Sequence, residues 1–416
     1  MATRTIANGG GNYNSPGTWV EGAIPTSADD VVATATSGAV TVTAAAAAKT
    51  LILTGYTNTL TINSGQTLTV SGSVTLASGM TYAGTGTLAI AASATLTANG
   101  ITVSGDLLLN NGTFTIALAD NWIVTGLFHA VAGSSTVTFN DNQITCNSSV
   151  TLAARLAGTT VILIAGTGTW AGSVTYGRYC SNPITINTSG TITLATTGPF
   201  FGNNTVTYTA GTIVSTGSTM GMHTSVTLAG SWPELNNSLT VWADGTLTVQ
   251  ANLTLNGTVR VLNAVSLTLA GAYDYRFGTL QLDNANTLKL SDNHTLTIST
   301  AIIAIGLTSI TIRSTTASAS STLTYSGTQA NMKLASCAFT DIAATNPLWN
   351  HWGGTLTRTS GITNTNLTPG DYTDPGEANV ASGTSYLYQG ATKNGSYAGG
   401  AAGIMTHPGM SGGARG

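Results

Sequence analysis

The chain has 416 residues, of which only 6% are charged and 50 are glycine, and small and β-branched side chains supply much of its 42% apolar content. The 12 basic and 15 acidic side chains give a formal net charge of -3, and no Lys/Arg cluster is present that could neutralise phosphates. This composition argues against a nucleic-acid partner and fits a neutral, hydroxyl-rich β surface of an extracellular or virion protein.

The residue types that most often bind metals are scattered along the chain. The three cysteines are odd in number and lack metal-ligand spacing, so we interpret Cys146, Cys180 and Cys337 as buried small apolar residues. The five histidines are equally isolated, which predicts neither a metal site nor a cofactor.

Neither a membrane span nor an export signal is visible in the sequence. No window reaches the uninterrupted apolar length that spans a bilayer, and the N-terminus lacks the apolar core of a secretion signal. We therefore expect no membrane partner. An exterior surface protein without an export signal would be made in the cytoplasm and released by lysis, which favours a virus particle over a bacterial adhesin.

Residues 1–30 differ from the repeat that follows them and contain two large aromatic residues, Tyr13 and Trp19. A solenoid needs its first coil covered, because an open end exposes core and unpaired strand edge. We predict that this segment is an N-terminal cap with both aromatic residues as its lids. An aromatic ligand site is the alternative.

The same segment carries a pattern of glycine, aromatic, proline and acidic residues that leads into the first strand. The pattern consists of Gly10, Gly11, Asn12, Tyr13, Thr18, Trp19, Gly22, Pro25 and Asp30. It resembles the start of many β-helical proteins of phages and bacterial surfaces. The resemblance implies an architecture and says little about activity.

A short strand-like repeat dominates the chain from residue 31 to residue 366. In residues 58–116, apolar pairs such as Leu60 and Ile62 lie two positions apart with Thr, Ser or Ala between them, which is the period of a strand that buries one face. Gly steps end most strands, and the unit repeats every ~21 residues. The sequence predicts an all-β, right-handed parallel β-helix over residues 31–366, in which each strand pairs with the coils above and below.

The alanine run Ala44 to Ala48 falls inside this region and has high helix propensity. It is too short to form a helix alone, so we expect a loop or a one-turn cap.

The repeat is noisier between Asp120 and Glu234, where aromatic residues are frequent. Such irregularity predicts longer turns on one flank of the solenoid, where binding surfaces usually lie. Aromatic rings can stack on sugar faces. The candidate ligand-binding residues are Trp122, Trp170, Tyr176, Tyr179, Trp232 and Trp242.

The character of the chain changes after residue 366. Pro-Gly steps predict a linker at 367–378, a small β module follows at 379–398, and 399–416 is a Gly-rich tail expected to be flexible. The Asn379-Val380 step with Tyr386 resembles a short C-terminal unit of phage particle proteins, although Ala381 stands where that unit has a basic residue.

Evidence for catalysis is weak. A β-helical tailspike that cleaves polysaccharide needs carboxylates close together. Asp120 and Asp141 are one repeat apart and are the candidate pair, but each begins an Asp-Asn step, so repeated turn residues explain them at least as well. We predict no catalytic residues.

These observations predict a structural protein of a phage particle, a β-helical fibre, spike or capsid appendage that presents a surface for host attachment without catalysis. Its partners would be other virion proteins and a host surface glycan. A homotrimer is expected from the resemblance to phage spikes and fibres, since identical solenoids bundled about an axis hide their flanks. The alternatives are a capsid decoration protein with no host ligand, a polysaccharide-cleaving tailspike and a bacterial surface adhesin.

Overall fold

A computed structural model describes residues 1–109, 113–130, 136–172, 179–262, 264–316, 321–328, 331–344, 356–357, 385–388 and 391–394. The chain divides into two compact units, 1–251 and 252–416. Strands dominate the described part of both units, and its helical content is the single 3-10 helix Pro16–Thr18. The predicted all-β parallel β-helix is confirmed. No helix in the described part is long and apolar enough to cross a bilayer.

In unit 1–251 the strands form three columns, and parallel pairing joins successive turns within them. The first column comprises Thr3–Thr5, Asp30–Val32, Thr50–Ile52, Val74–Thr75, Ala94–Thr97, Phe114–Leu118, Thr136–Asn140, Arg155–Ala157, Thr197–Phe201, Thr219–Met222 and Ser238–Val241. The second comprises Ala46–Ala48, Thr67–Val70, Thr87–Ile90, Asp106–Leu109, Phe128–Ala130, Val150–Leu152 and Gly168–Gly172, and it continues in residues 191–194 and 212–214, the C-terminal parts of two long strands of the third column. The third comprises Gly11–Asn12, Val40–Val42, Thr59–Ile62, Thr81–Ala83, Thr102–Val103, Trp122–Val124, Gln143–Cys146, Val161–Ile164, Ile184–Leu194, Asn204–Val214, Val226–Ala229 and Gly245–Val249.

The core of this unit is built from ladders of apolar side chains in register. In the second column the inward positions of successive turns are Leu68, Leu88, Leu107, Phe128, Val150 and Trp170. All six side chains are buried. Because side chains alternate along a strand, the residues next to these inward positions face away from the core, among them Thr69, His129 and Thr151. Each buried large side chain contributes about 1.5–3 kcal/mol.

The N-terminal segment joins the first column directly, since Thr3–Thr5 pairs in parallel with Asp30–Val32. Tyr13 and Trp19 are both buried, with their rings edge to face and 4.9 Å apart between centroids. The Trp19 indole N–H donates to the Tyr13 carbonyl oxygen at 2.8 Å, and the Tyr13 hydroxyl donates to the Ala47 carbonyl oxygen at 2.7 Å. The two rings therefore cover core at this end of the unit, as lids of a cap would.

The expectation of a loop or helical cap at Ala44 to Ala48 is wrong. Residues Ala46–Ala48 form a strand that pairs in parallel with Thr67–Val70, and Ala48 is fully buried. The hydrogen bonds of the next turn and an interior position for Ala48 outweigh the helix propensity of alanine, which is a weak preference in so short a run.

Unit 252–416 contains a second set of parallel strands, several of them long enough to run around a corner. The strands are Leu253–Val261, Ser266–Gly271, Tyr275–Leu282, Thr287–Leu290, Thr295–Ser314, Ser321–Tyr325, Met332–Thr340, Ile342–Ala344 and Leu356–Thr357. Ser385–Tyr388 and Ala391–Asn394 pair antiparallel, and both strands fall within the segment 379–398 that was predicted as a small β module. The predicted linker at 367–378 and tail at 399–416 lie outside the described residues.

One turn in unit 252–416 is held by a carboxylate. Asp292 accepts hydrogen bonds from the Ser314 hydroxyl, from the Thr315 hydroxyl at 2.9 Å and from the Thr316 backbone N–H at 3.0 Å. Burial alone would raise the pKa of Asp292, but these hydrogen bonds outweigh it and lower the pKa to about 2.

This turn predicts a specific acid sensitivity. The folded pKa of Asp292 lies below the ordinary Asp value of about 3.9, so its contribution to stability is complete above that pH and is lost as the pH falls toward the folded value. We expect the thermal midpoint of the wild-type protein to fall between pH 4 and pH 2 more steeply than that of Asp292→Asn, which starts lower. Parallel curves in differential scanning fluorimetry would contradict this role.

Candidate functional site

Two of the six predicted ligand-binding aromatic residues lie in the core. Trp122 and Trp170 are 0% and 2% exposed, because strand alternation places them in register with the interior residues Ile144 and Val150. The prediction that these two side chains contact a ligand is wrong. Tyr176 lies outside the described residues. The other three, Tyr179, Trp232 and Trp242, are half-buried and reach the surface.

Tyr179 and Trp242 belong to an outward-facing cluster, which we call the corner patch and define as Arg155, Tyr179, Phe200, His223 and Trp242. The Tyr179 and His223 rings stack with centroids 4.4 Å apart, and the Arg155 guanidinium lies 5.4 Å from the Tyr179 centroid. Phe200 meets His223 at 6.2 Å and Trp242 at 6.0 Å, both edge to face. Phe200 is 2% exposed because these rings cover it.

The corner patch forms where the first column ends and the chain turns into the third. Phe200 pairs with Gly221 and lies on the outer face, because the next residue, Phe201, points inward in register with Met222. His223 and Trp242 directly follow the inward residues of their own turns and face outward again. The patch therefore collects one or more side chains from each of several successive turns.

Two glycines make room for the diagonal packing of the rings. A Cβ atom at Gly202 would lie 2.6 Å from Cδ2 of Tyr179, and one at Gly221 would lie 1.5 Å from Cδ2 of Phe200. The Tyr179 ring can therefore cross over Gly202 to reach His223, and the Phe200 ring can cross over Gly221. Any larger residue at either position would displace the ring above it.

An open groove of about 530 Å³ lies on the same turns, immediately past the corner. Its walls carry hydroxyl and amide groups and no charged side chain. We call it the hydroxyl groove, and its lining consists of Gly158, Thr159, Ser181, Pro183, Asn203, Asn204, Thr205, Ser225, Thr227, Thr246 and Thr248. The groove and the corner patch are neighbours along the chain, since Ser181 is two residues beyond Tyr179 and Ser225 two beyond His223.

The groove floor has a regular arrangement of hydroxyl groups. Thr205, Thr227 and Thr248 are Cα partners on three consecutive strands, so their side chains repeat at the strand spacing of about 4.8 Å. A ligand lying along the solenoid axis would meet the same donor and acceptor group at each step. Such a surface suits an extended, polar, repetitive molecule.

Buried asparagines fix the corner that supports the groove. The Asn182 side chain donates to the Phe139 carbonyl oxygen at 2.9 Å and to that of Thr160 at 3.1 Å. The Asn204 side chain in turn donates to the Asn182 carbonyl oxygen at 3.2 Å. These bonds join the backbones of neighbouring turns and support the corner beside the groove.

Trp232 lies outside the groove lining. Its ring packs against Tyr208 with centroids 5.7 Å apart, and its indole N–H donates to the Ala229 carbonyl oxygen at 3.0 Å. The Tyr208 hydroxyl donates to the Gly211 carbonyl oxygen at 2.6 Å. The polar group of each ring is thus used inside the protein, and the pair provides a natural comparison for Trp242.

The two residues that carry the candidate catalytic carboxylates both lie in hydrogen-bonded turns. Asp120 accepts hydrogen bonds from the backbone N–H groups of Ala98 and Asn99 in the turn before it. Asp141 has a positive φ of 64°, and its backbone N–H and carbonyl group bond to the hydroxyls of Thr159 and Thr160. The contacts favour the interpretation of both residues as turn formers.

The histidine of the corner patch is neutral beside a positively charged arginine. Burial and the neighbouring positive charge of Arg155 both lower the pKa of His223, so its imidazole is uncharged at neutral pH.

Cys146 and Cys180 are free and fully buried, as predicted, and burial raises the pKa of Cys180 to about 12. The side chain of Cys337 lies outside the described residues. No group of three or more potential metal ligands occurs in the described residues.

Comparison of the chain with protein-family models, with curated proteins and with solved structures finds no match. The hydroxyl groove and the corner patch are therefore interpreted from their own geometry. Sequence reasoning missed the groove, Arg155, Phe200 and His223. Two signals were present: outward threonines at the repeat spacing, and glycines beside the aromatic residues at 200, 201 and 223.

The packing over Gly202 predicts the effect of adding one methyl group there. We expect Gly202→Ala to displace Tyr179 from His223, to lower stability by about 1–3 kcal/mol, and to raise the pKa of His223 toward its ordinary value as that ring becomes more exposed. NMR titration of the His223 ring protons and urea unfolding would measure both effects. Gly9→Ala is the control, because a Cβ there meets nothing within 4 Å. An unchanged His223 titration in Gly202→Ala would refute this account.

Proposed function

We propose that this chain is a structural, non-catalytic β-helical appendage of a phage particle, and that the hydroxyl groove with the corner patch binds a host surface glycan. The observation that carries the proposal is the neutral, hydroxyl-lined groove beside half-exposed aromatic rings in unit 1–251. Sugars present both hydroxyl edges and apolar faces, and this surface offers a partner for each.

The absence of charge from the groove lining supports binding of a polar ligand without turnover. Glycosidic cleavage requires an acid and a second carboxylate around the bond. None of the residues that line the groove is acidic. Both carboxylate oxygens of Asp120 accept hydrogen bonds from backbone N–H groups. A binding surface therefore accounts for the site better than a cleaving one.

The assignment to a phage particle rests on resemblance. The opening pattern from Gly10 to Asp30 is similar to the start of β-helical proteins of phages and of bacterial surfaces, and the unit around Tyr386 is similar to a segment of phage particle proteins. The proposal includes other virion proteins as partners, a location in the virion and a homotrimeric state. Stacked parallel turns with few charges suit a long-lived exterior surface.

The location is tested by gold-antibody labelling of intact particles in electron microscopy. We expect label on the particle, and label at the tail tip would support receptor attachment. Label spread over the head would contradict receptor attachment at the tail and would support a role as a decoration protein or head fibre. If no particle carried label, the phage assignment would be wrong and a bacterial adhesin would become the better account.

The binding surface is tested by comparing two half-buried tryptophans. We expect Trp242→Ala to weaken binding of host surface polysaccharide by about tenfold, since one aromatic contact with a sugar face is lost. Trp232→Ala, which changes neither the groove lining nor the corner patch, should bind like the wild-type protein. Trp242→Phe keeps a ring over Phe200 and controls for loss of packing. Equal binding by all variants in isothermal titration calorimetry would exclude the corner patch as the site.

A further inference from the structure

The corner patch contains a cation whose position matters for ligand choice. Arg155 is exposed and belongs to the strand Arg155–Ala157, which leads directly into Gly158 and Thr159 of the groove lining. Three residues of extended chain cover roughly 10 Å, so the Arg155 backbone lies beside one end of the groove. The residues that line the groove are therefore uncharged, and a basic residue lies beside one of its ends.

The contact with Tyr179 places the Arg155 guanidinium over an aromatic ring. Its central carbon is 5.4 Å from the Tyr179 ring centroid, within the range of a cation–π interaction. A guanidinium has five N–H donors, so contact with one ring leaves donors for a ligand group. Tyr179 is itself supported from His223, which limits the movement of the whole stack.

Arg155 differs from the other described cations of unit 1–251 in having no carboxylate partner. Arg4 pairs with Asp29 and Lys49 with Asp30, each at 3.7 Å. In the described residues Arg155 makes no ion pair. The turn of the solenoid before Arg155 carries Asp141, an exposed residue whose backbone N–H donates to the Thr159 hydroxyl. No salt bridge joins the Asp141 carboxylate to Arg155.

We propose that the site selects acidic oligosaccharides, with Arg155 binding a carboxylate or sulfate group of the ligand while Trp242 and the hydroxyl groove hold its sugar units. This inference rests on the proposed glycan-binding function and names the class of glycan. The planar fork of N–H donors in a guanidinium matches the geometry of a carboxylate or sulfate. His223 is uncharged, so Arg155 is the described residue of the patch that carries positive charge at neutral pH.

The test uses matched pairs of short oligosaccharides that differ only in charge: oligogalacturonates with their methyl esters, and sulfated with unsulfated galactans. Isothermal titration calorimetry measures each pair against the full-length protein. We expect the acidic member of at least one pair to bind about tenfold tighter, the gain of a charge-assisted hydrogen bond, and the preference to shrink in high salt.

Variants identify the residue responsible. Arg155→Gln should remove the preference, so that the acidic and neutral members of a pair bind equally, and Arg155→Lys should keep part of the preference. Lys49→Gln is the control, because it removes the same charge from the other end of the unit's sequence, where Asp30 is the partner. Thermal unfolding of each variant checks that it is folded.

The outcomes separate this inference from the proposed function. Binding of the neutral members alone, or a preference that survives Arg155→Gln, would overturn the acidic specificity and leave glycan binding intact. If neither member of any pair bound the wild-type protein, both proposals would be wrong for these sugars and the surface would have another role.

Discussion

Parallel pairing in register between successive turns is the constraint on which this structure depends. Each strand obtains its backbone hydrogen bonds from the turns before and after it, so equivalent positions are stacked at the strand spacing of about 4.8 Å. The inward ladder from Leu68 to Trp170 shows the consequence for the core. Outward positions are stacked in the same way. A side-chain type that recurs at one outward position therefore forms a continuous column on the surface.

The candidate site combines one product of this regularity with one departure from it. Uniform outward columns of threonine form the groove floor at Thr205, Thr227 and Thr248. At the adjacent corner, Gly202 and Gly221 interrupt the columns, and the rings of Tyr179 and Phe200 lean into the spaces they leave. A flat polar face and an aromatic edge therefore lie on the same turns, which is an arrangement suited to a ligand with both hydroxyls and apolar faces.

The sequence was sufficient for the fold and only partly sufficient for the site. Period-two patterning decides which residues are inside, so the parallel β-helix could be read from Leu60, Ile62 and their repeats. The same rule could have excluded Trp122 and Trp170, which stand at inward positions of short strands, but their strand boundaries were hidden in the noisier part of the repeat. The strand Ala46–Ala48 could not be predicted from its local sequence, because pairing with the next turn decides its conformation.

The approach of Tyr179 to His223 could not be foreseen in this way. It depends on the absence of a side chain at Gly202, one turn away, and on a diagonal displacement that register alone does not specify. Arg155 was overlooked for a related reason, since a single cation in a neutral sequence has meaning only when its neighbours are known.

The most direct test of the central claim is a crystal structure of the protein with the longest oligosaccharide that binds it. The account predicts an intact chain of sugar units along Thr205, Thr227 and Thr248, with a sugar face on the Trp242 ring. Sugar bound at another surface, or cleaved in the groove, would contradict it.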